Sequence, residues 1–130
     1  MADRIITRDY LIANPSCIFV FGDNTLRRGK GGAAVLRDLP NTYGFITKKE
    51  PTNAVESFYT LSEYREVFDR EVNLLLTHMA ANPTNRYLIS KLGGGLANRF
   101  HIWDTIIEPW IKTATWMYAD RIDYLWENVT

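Results

Sequence analysis

Seven of the chain's eight glycines fall in two short stretches, Gly22, Gly29, Gly31 and Gly32, then Gly93, Gly94 and Gly95, and each stretch begins where an apolar run ends. The first run, Cys17-Ile18-Phe19-Val20-Phe21, is rich in β-branched and aromatic residues and bounded by Pro15-Ser16 and Gly22-Asp23-Asn24. It reads as a strand buried on both faces. The second, Tyr87-Leu88-Ile89 within Arg86 to Ser90, passes directly into Lys91-Leu92-Gly93-Gly94-Gly95. A helical pattern follows each stretch, the first being Gly31-Gly32-Ala33-Ala34-Val35-Leu36 before Pro40. Two buried strands that feed helices through glycine loops bring both loops to the carboxyl edge of a sheet, where open α/β folds bind ligands.

The remaining elements fit such a fold. Arg4-Ile5-Ile6 predicts a short strand, and Thr7 leads a turn or brief helix that stops at Asn14-Pro15, because proline disfavours a helical residue before it. Tyr43 to Thr47 predicts another strand. Thr60 with Glu63 fits a capping box, and Tyr64, Val67, Phe68, Val72, Leu75, Leu76 and Met79 follow at helical spacing until Asn82-Pro83. A second stripe, Trp103, Ile106, Ile107, Trp110, Ile111 and Ala114, contains Pro109, which must kink the helix or remove one backbone bond. Arg121 to Val129 alternates loosely, as an edge strand does. The expectation is one α/β domain over residues 1–130, its sheet covered on both faces and mixed if the ends add antiparallel strands.

Composition excludes several functions. Fifteen Lys and Arg balance fifteen Asp and Glu, so the strong attraction to a phosphate backbone that general nucleic-acid binders use is not expected. No apolar stretch suits a signal peptide or approaches the roughly 20 residues of a membrane span, which predicts a soluble, cytoplasmic protein with no membrane partner. The single cysteine, Cys17, lies in an apolar run and reads as a small buried residue. His78 and His101 do not form the spaced set that zinc needs, so neither a metal site nor a cofactor is expected. Gly29-Lys30 lacks the hydroxyl residue of a P-loop, whereas Gly29-x-Gly31-x-x-Ala34 matches the loose dinucleotide fingerprint and keeps a Rossmann-like enzyme open as an alternative.

Loops without β-carbons let backbone N–H groups approach an anion, and two facing loops suit a diphosphate. Asp23 and Asn24, at the tip of the first buried strand, have side chains suited to ribose hydroxyls, and both also favour a turn. Lys30 is expected near a bound phosphate, with Arg27 and Arg28 solvated. Phe100, Tyr43 and Tyr59 are candidates to stack on a ribose or base.

Phe21-Gly22-Asp23-Asn24 with Gly29-Lys30-Gly31-Gly32-Ala33-Ala34 resembles the first ligand loop of macrodomains. Leu88-Ile89-Ser90-Lys91-Leu92-Gly93-Gly94-Gly95-Leu96, followed by Trp103, resembles the diphosphate loop of the branch that includes terminal ADP-ribose protein glycohydrolase. Between them, Ile46-Thr47-Lys48-Lys49 resembles the stretch of that branch whose first lysine is catalytic. The sequence also resembles small macrodomain-like proteins of bacteria and phages that carry a Phe-Gly-Asp-Asn block.

The resemblance implies a three-layer α/β/α sandwich with a mixed sheet that binds ADP-ribose or a related NAD-derived nucleotide. It implies ligand contacts from Gly22, Asp23, Asn24, Lys30, Gly31, Gly32, Ala33, Thr47 and Lys48 on one side, and from Leu92, Gly93, Gly94, Gly95, Leu96, Asn98 and Phe100 on the other. As an enzyme the chain would use Lys48 to remove ADP-ribose from a modified macromolecule. The resembled enzyme, however, has an aspartate where Ala97 stands here, and Asp23 is the residue left to replace that base. Binding alone and cleavage both stay open, beside a nucleotide-free interaction or structural protein that buries some of its tryptophans and tyrosines at an interface.

Overall fold

Residues 4–127 are described by a computed structural model, so the end of the expected 121–129 strand, from residue 128 onward, lies outside the described residues. Four strands, β1 (Cys17–Asn24), β2 (Thr42–Lys48), β3 (Arg86–Ile89) and β4 (Ile122–Tyr124), form one sheet in the order β2-β1-β3-β4. Every pairing is parallel, which corrects the expectation of a mixed sheet. The reason is the long link between β3 and β4, which returns the chain to the end where β3 began and so delivers β4 in the same direction. Arg4-Ile5-Ile6 forms no strand, and the Arg4 N–H makes a single 2.9 Å bond to the Leu125 carbonyl.

Alternation along the strands sorts the core into two parts. Ile18, Val20, Phe45, Tyr87 and Ile89 pack beneath α2 (Leu61–Ala81) and α3 (Glu108–Ala114), burying Tyr64, Phe68, Leu75 and Ile111. Cys17, Phe19, Phe21 and Leu88 face the other way, onto Leu11 of α1 (Arg8–Ala13) and onto Ala34 and Leu36 of a 3-10 turn at Gly32–Leu36. The sheet is therefore covered on both faces, thickly by the 21-residue α2 and thinly by the 6-residue α1.

Two local devices settle the helices. Thr60 accepts the Glu63 N–H while Glu63 accepts the Thr60 N–H, closing the capping box that starts α2. Ahead of Pro109, a π turn at Trp103–Ile107 lets the Glu108 N–H reach back to the Trp103 carbonyl. The proline then falls in the first turn of α3, where its missing N–H costs no intrahelical bond. No helix among the described residues is long and apolar enough to cross a membrane.

β2 is an edge strand, and α2 closes that edge. The buried Glu71 carboxylate accepts the Ile46 N–H at 2.7 Å, and the Tyr64 hydroxyl donates to the Ile46 carbonyl at 2.5 Å. Polar groups that would otherwise offer themselves to another chain are satisfied internally.

Candidate functional site

After β1 the chain turns onto the α1 face, where Ala34 and Leu36 pack, whereas after β3 it turns onto the α2 face, where Ile102 and Ile107 pack. The two strands are neighbours, so their loops diverge at the carboxyl edge, the switch point of a parallel sheet, where a ligand crevice is expected. Both glycine stretches lie there. At the floor, a β-carbon on Gly22 would stand 3.0 Å from Thr47 Oγ1 and 3.5 Å from the Gly93 nitrogen, so only glycine lets the three segments close together. Thr47 is buried, while Gly31, Gly32 and Gly95 face open space.

The first loop is built on charge. Asp23 is 4% exposed, and its carboxylate accepts Arg37 at 2.7 Å, Arg27 at 3.3 Å and the Asn24 N–H at 2.8 Å. Arg37 also donates to the Gly29 carbonyl at 2.6 Å, and Arg27 to the Gly44 carbonyl at 2.7 Å. Gly44, the glycine that stands apart in the sequence, makes room for this cluster: a β-carbon there would collide with the Asp23 carboxylate and Arg27. Asp23 therefore braces the loop and is committed to guanidinium groups, which is a different task from that of a general base. Asn24 builds the turn itself, donating to the Arg28 carbonyl at 2.7 Å and accepting the Leu26 N–H at 3.1 Å. Arg27 is half exposed yet held at both contacts, and Arg28, Lys30 and Ala33 are exposed.

The second loop is built on packing. Leu92 is fully buried, and Gly93, at φ +70°, lies against Ile102 and Ile107. Lys91 runs along Gly94 and brings its ammonium 5.6 Å from the Trp103 ring centre. Asn98 accepts the Trp103 N–H at 2.9 Å and donates to Asp104 at 2.9 Å, so its amide caps the following helix. Leu96 projects into solvent, and Phe100 is half-buried.

Lys48 ends β2 just past a bulge in its pairing with β1. Its ammonium lies 4.8 Å from the Phe58 ring centre, and burial lowers its pKa from the ordinary lysine value. Lys49 points elsewhere, to Glu63 at 2.8 Å, and holds that carboxyl down to about 2. Tyr59 is buried against Tyr64 and Tyr43 packs on His78, so neither stands in the crevice. Among the described residues no three His, Cys, Asp or Glu side chains group as a metal site would require.

Charge is segregated. Segments 22–37, 48–60 and 91–101 hold eight of the fifteen Lys and Arg but three of the fifteen Asp and Glu, and one of those three, Asp23, is buried in ion pairs. Sequence reasoning missed Arg37 and Phe58. Nothing in the local pattern marks Arg37, whose partner lies 14 residues away. Glu71 did leave a signal: it is a charged residue on the buried stripe of α2, between Phe68 and Val72.

A family model described as "Family of unknown function (DUF7831)" matches residues 1–98, a span that includes β1 to β3 and both glycine stretches. No curated protein and no solved structure matches the chain.

Proposed function

The chain belongs to the DUF7831 family of unknown function, and we propose that the crevice it carries binds ADP-ribose or a related NAD-derived nucleotide. The observation that carries this reading is the segregation of charge: a chain with no net charge carries eight cations against three carboxylates on three segments, two of which hold the glycine stretches. Such a local excess attracts and holds a diphosphate, which the total charge would not. The resemblance to macrodomains supplies the choice of nucleotide. In this reading the diphosphate lies between Gly31-Gly32 and Gly94-Gly95, with the distal ribose toward Lys48.

Thermal unfolding with ADP-ribose tests it. Saturating ligand raises the melting temperature, by the equivalent of about 2.7 kcal/mol at a hundredfold excess over Kd. Gly31→Asp removes the shift while leaving the unliganded melting point in place, because Gly31 has extended backbone and a β-carbon there meets nothing within 4 Å. It is a cleaner probe than Gly94→Asp, which first displaces the Lys91 side chain. No shift with wild-type protein across a panel of ADP-ribose derivatives would overturn the proposal.

Cleavage is a narrower version of the same proposal. Lys48 ends β2 at the carboxyl edge and burial lowers its pKa, the direction a nucleophilic amine needs, while Ala97 leaves the aspartate of the resembled enzyme unmatched. Lys48→Ala would then stop release of ADP-ribose with affinity retained, and an inactive wild type would refute this version alone.

One observation favours a second reading, a protein that works through an interface. A hollow of about 360 Å³ between α2 and α3 is lined by Phe68, Ile106 and Trp110, and Trp110 is 57% exposed. A mass that rises with concentration, without any nucleotide response, would support it.

A further inference from the structure

A second hollow lies beside Lys48. The link from β2 to α2 folds back so that Lys48 pairs with Phe58 in an isolated antiparallel bridge, and the Lys49 N–H donates to the Ser57 carbonyl at 2.8 Å. This hollow, of about 540 Å³, has Phe58, Phe100 and Val55 among its lining residues and carries Lys49, Glu56 and Glu63 as its charged groups. Its volume falls within the roughly 300–1,000 Å³ of small-molecule sites and exceeds what the end of a ribose would fill.

Cations frame its rings. Besides Lys48 on Phe58, the Arg99 guanidinium lies 5.5 Å from the Phe58 centre and 5.9 Å from the Phe100 centre. Lys49 and Glu63 neutralise one another, which leaves Lys48 and Arg99 against Glu56 alone. An incoming aromatic ring would find apolar area and a planar guanidinium, both suited to stacking. A ring bearing a positive charge would instead meet like charges already seated on the phenylalanines.

Resting on the reading of the crevice as an ADP-ribose site, we infer that this hollow takes a planar ring carried on the distal ribose, and that the ring is neutral or anionic. The ligand class is then a dinucleotide whose second end is a planar ring without positive charge. NADH and NAD+ are suitable probes, because they share a skeleton while the near-planar dihydronicotinamide of NADH is neutral and the aromatic nicotinamide of NAD+ is cationic, and ADP-ribose lacks the ring altogether.

Calorimetric titration of the full chain with all three ligands tests the inference. NADH is expected to bind roughly three- to tenfold more tightly than ADP-ribose, the range of a single aromatic contact, and more tightly than NAD+ by a similar factor. Phe100→Ala should erase the advantage of NADH, with a larger loss for NADH than for ADP-ribose. Should that variant fold poorly, Arg99→Glu changes an exposed side chain and is expected to reverse the preference between NADH and NAD+. Equal affinity for NADH and ADP-ribose, or for NADH and NAD+, overturns the inference. So does an equal loss for NADH and ADP-ribose in Phe100→Ala, which would give the hollow to adenine instead. No binding of any of the three refutes the crevice reading itself and this inference with it.

Discussion

The two loops that form the crevice are held in place by opposite means. The loop after β1 hangs on one buried carboxylate, Asp23, whose two arginines reach the carbonyls of Gly29 and Gly44. The loop after β3 contains no buried charge, and Leu92 and Gly93 anchor it in the same core as Ile102 and Ile107. Ion pairs and packing fail differently. A buried pair is costly to break because the survivor keeps its charge, whereas a packed glycine is costly to enlarge because its neighbours cannot withdraw. Each loop therefore has its own most sensitive residue, and the comparison can be tested one loop at a time.

The largest effect is expected at Asp23. Asp23→Ala would leave Arg37, 15% exposed, without its partner and free Arg27 from one of its two contacts, at a cost of about 3 kcal/mol. Urea denaturation measures it. Pairing the change with Arg37→Leu should recover part of the loss, since the stranded charge goes too. A loss under about 1 kcal/mol for the single variant, the level of an exposed pair, would show that charge does not hold the first loop.

On the second loop, glycines two residues apart should behave in opposite ways. Gly93→Ala adds a carbon 3.1 Å from Ile102 and 3.3 Å from Ile107 in a left-handed backbone, and is expected to cost about 2–3 kcal/mol. Gly95→Ala enters open space at negative φ, so it should cost no more than about 1 kcal/mol. Similar losses at both positions would mean that packing does not distinguish them.

These differences explain what the sequence made legible. β1, β3 and α2 were readable because an unbroken apolar run and a capping box are local signals, complete within a few residues. The parallel direction of β4 was not, because three residues carry no record of which way the long preceding link delivers them. Packing around Gly93 was foreshadowed by its place between Leu92 and the apolar stripe of the next helix. The ion cluster was not, since Asp23, Arg37 and Gly44 are brought together only by the pairing of β1 with β2. A neutral total likewise concealed an uneven distribution, which appears once the segments that follow β1, β2 and β3 are taken together.

A smaller effect is expected where the second loop enters its helix. Asn98 supplies the side-chain acceptor for the Trp103 N–H, so Asn98→Ala should cost about 1 kcal/mol, the usual value of a lost helix cap. Asn98→Asp retains the acceptor but faces Asp104, so its loss should shrink when Asp104 is also changed to Asn. Thermal melts of the four proteins, wild type included, would show it. If Asn98→Ala is neutral, the loop is held by Leu92 and Gly93 alone and the contrast with the first loop becomes sharper.

The smallest effect concerns the one carboxylate of the second loop's cap. Asp104 is exposed, and hydrogen bonds from the Asn98 amide and then from His101 hold its carboxyl below the usual aspartate range. A carboxyl whose pKa is lower in the folded chain adds stability above its unfolded value and loses it as pH falls through the folded one. The window therefore lies below about pH 4, and nothing from this group should change between pH 7 and 5. Because the pair is solvated, Asp104→Asn should leave the urea midpoint at pH 7 unmoved within error. Should Asp104→Asn instead destabilise as much as Asp23→Ala, charge would hold both loops and the division between them would fail.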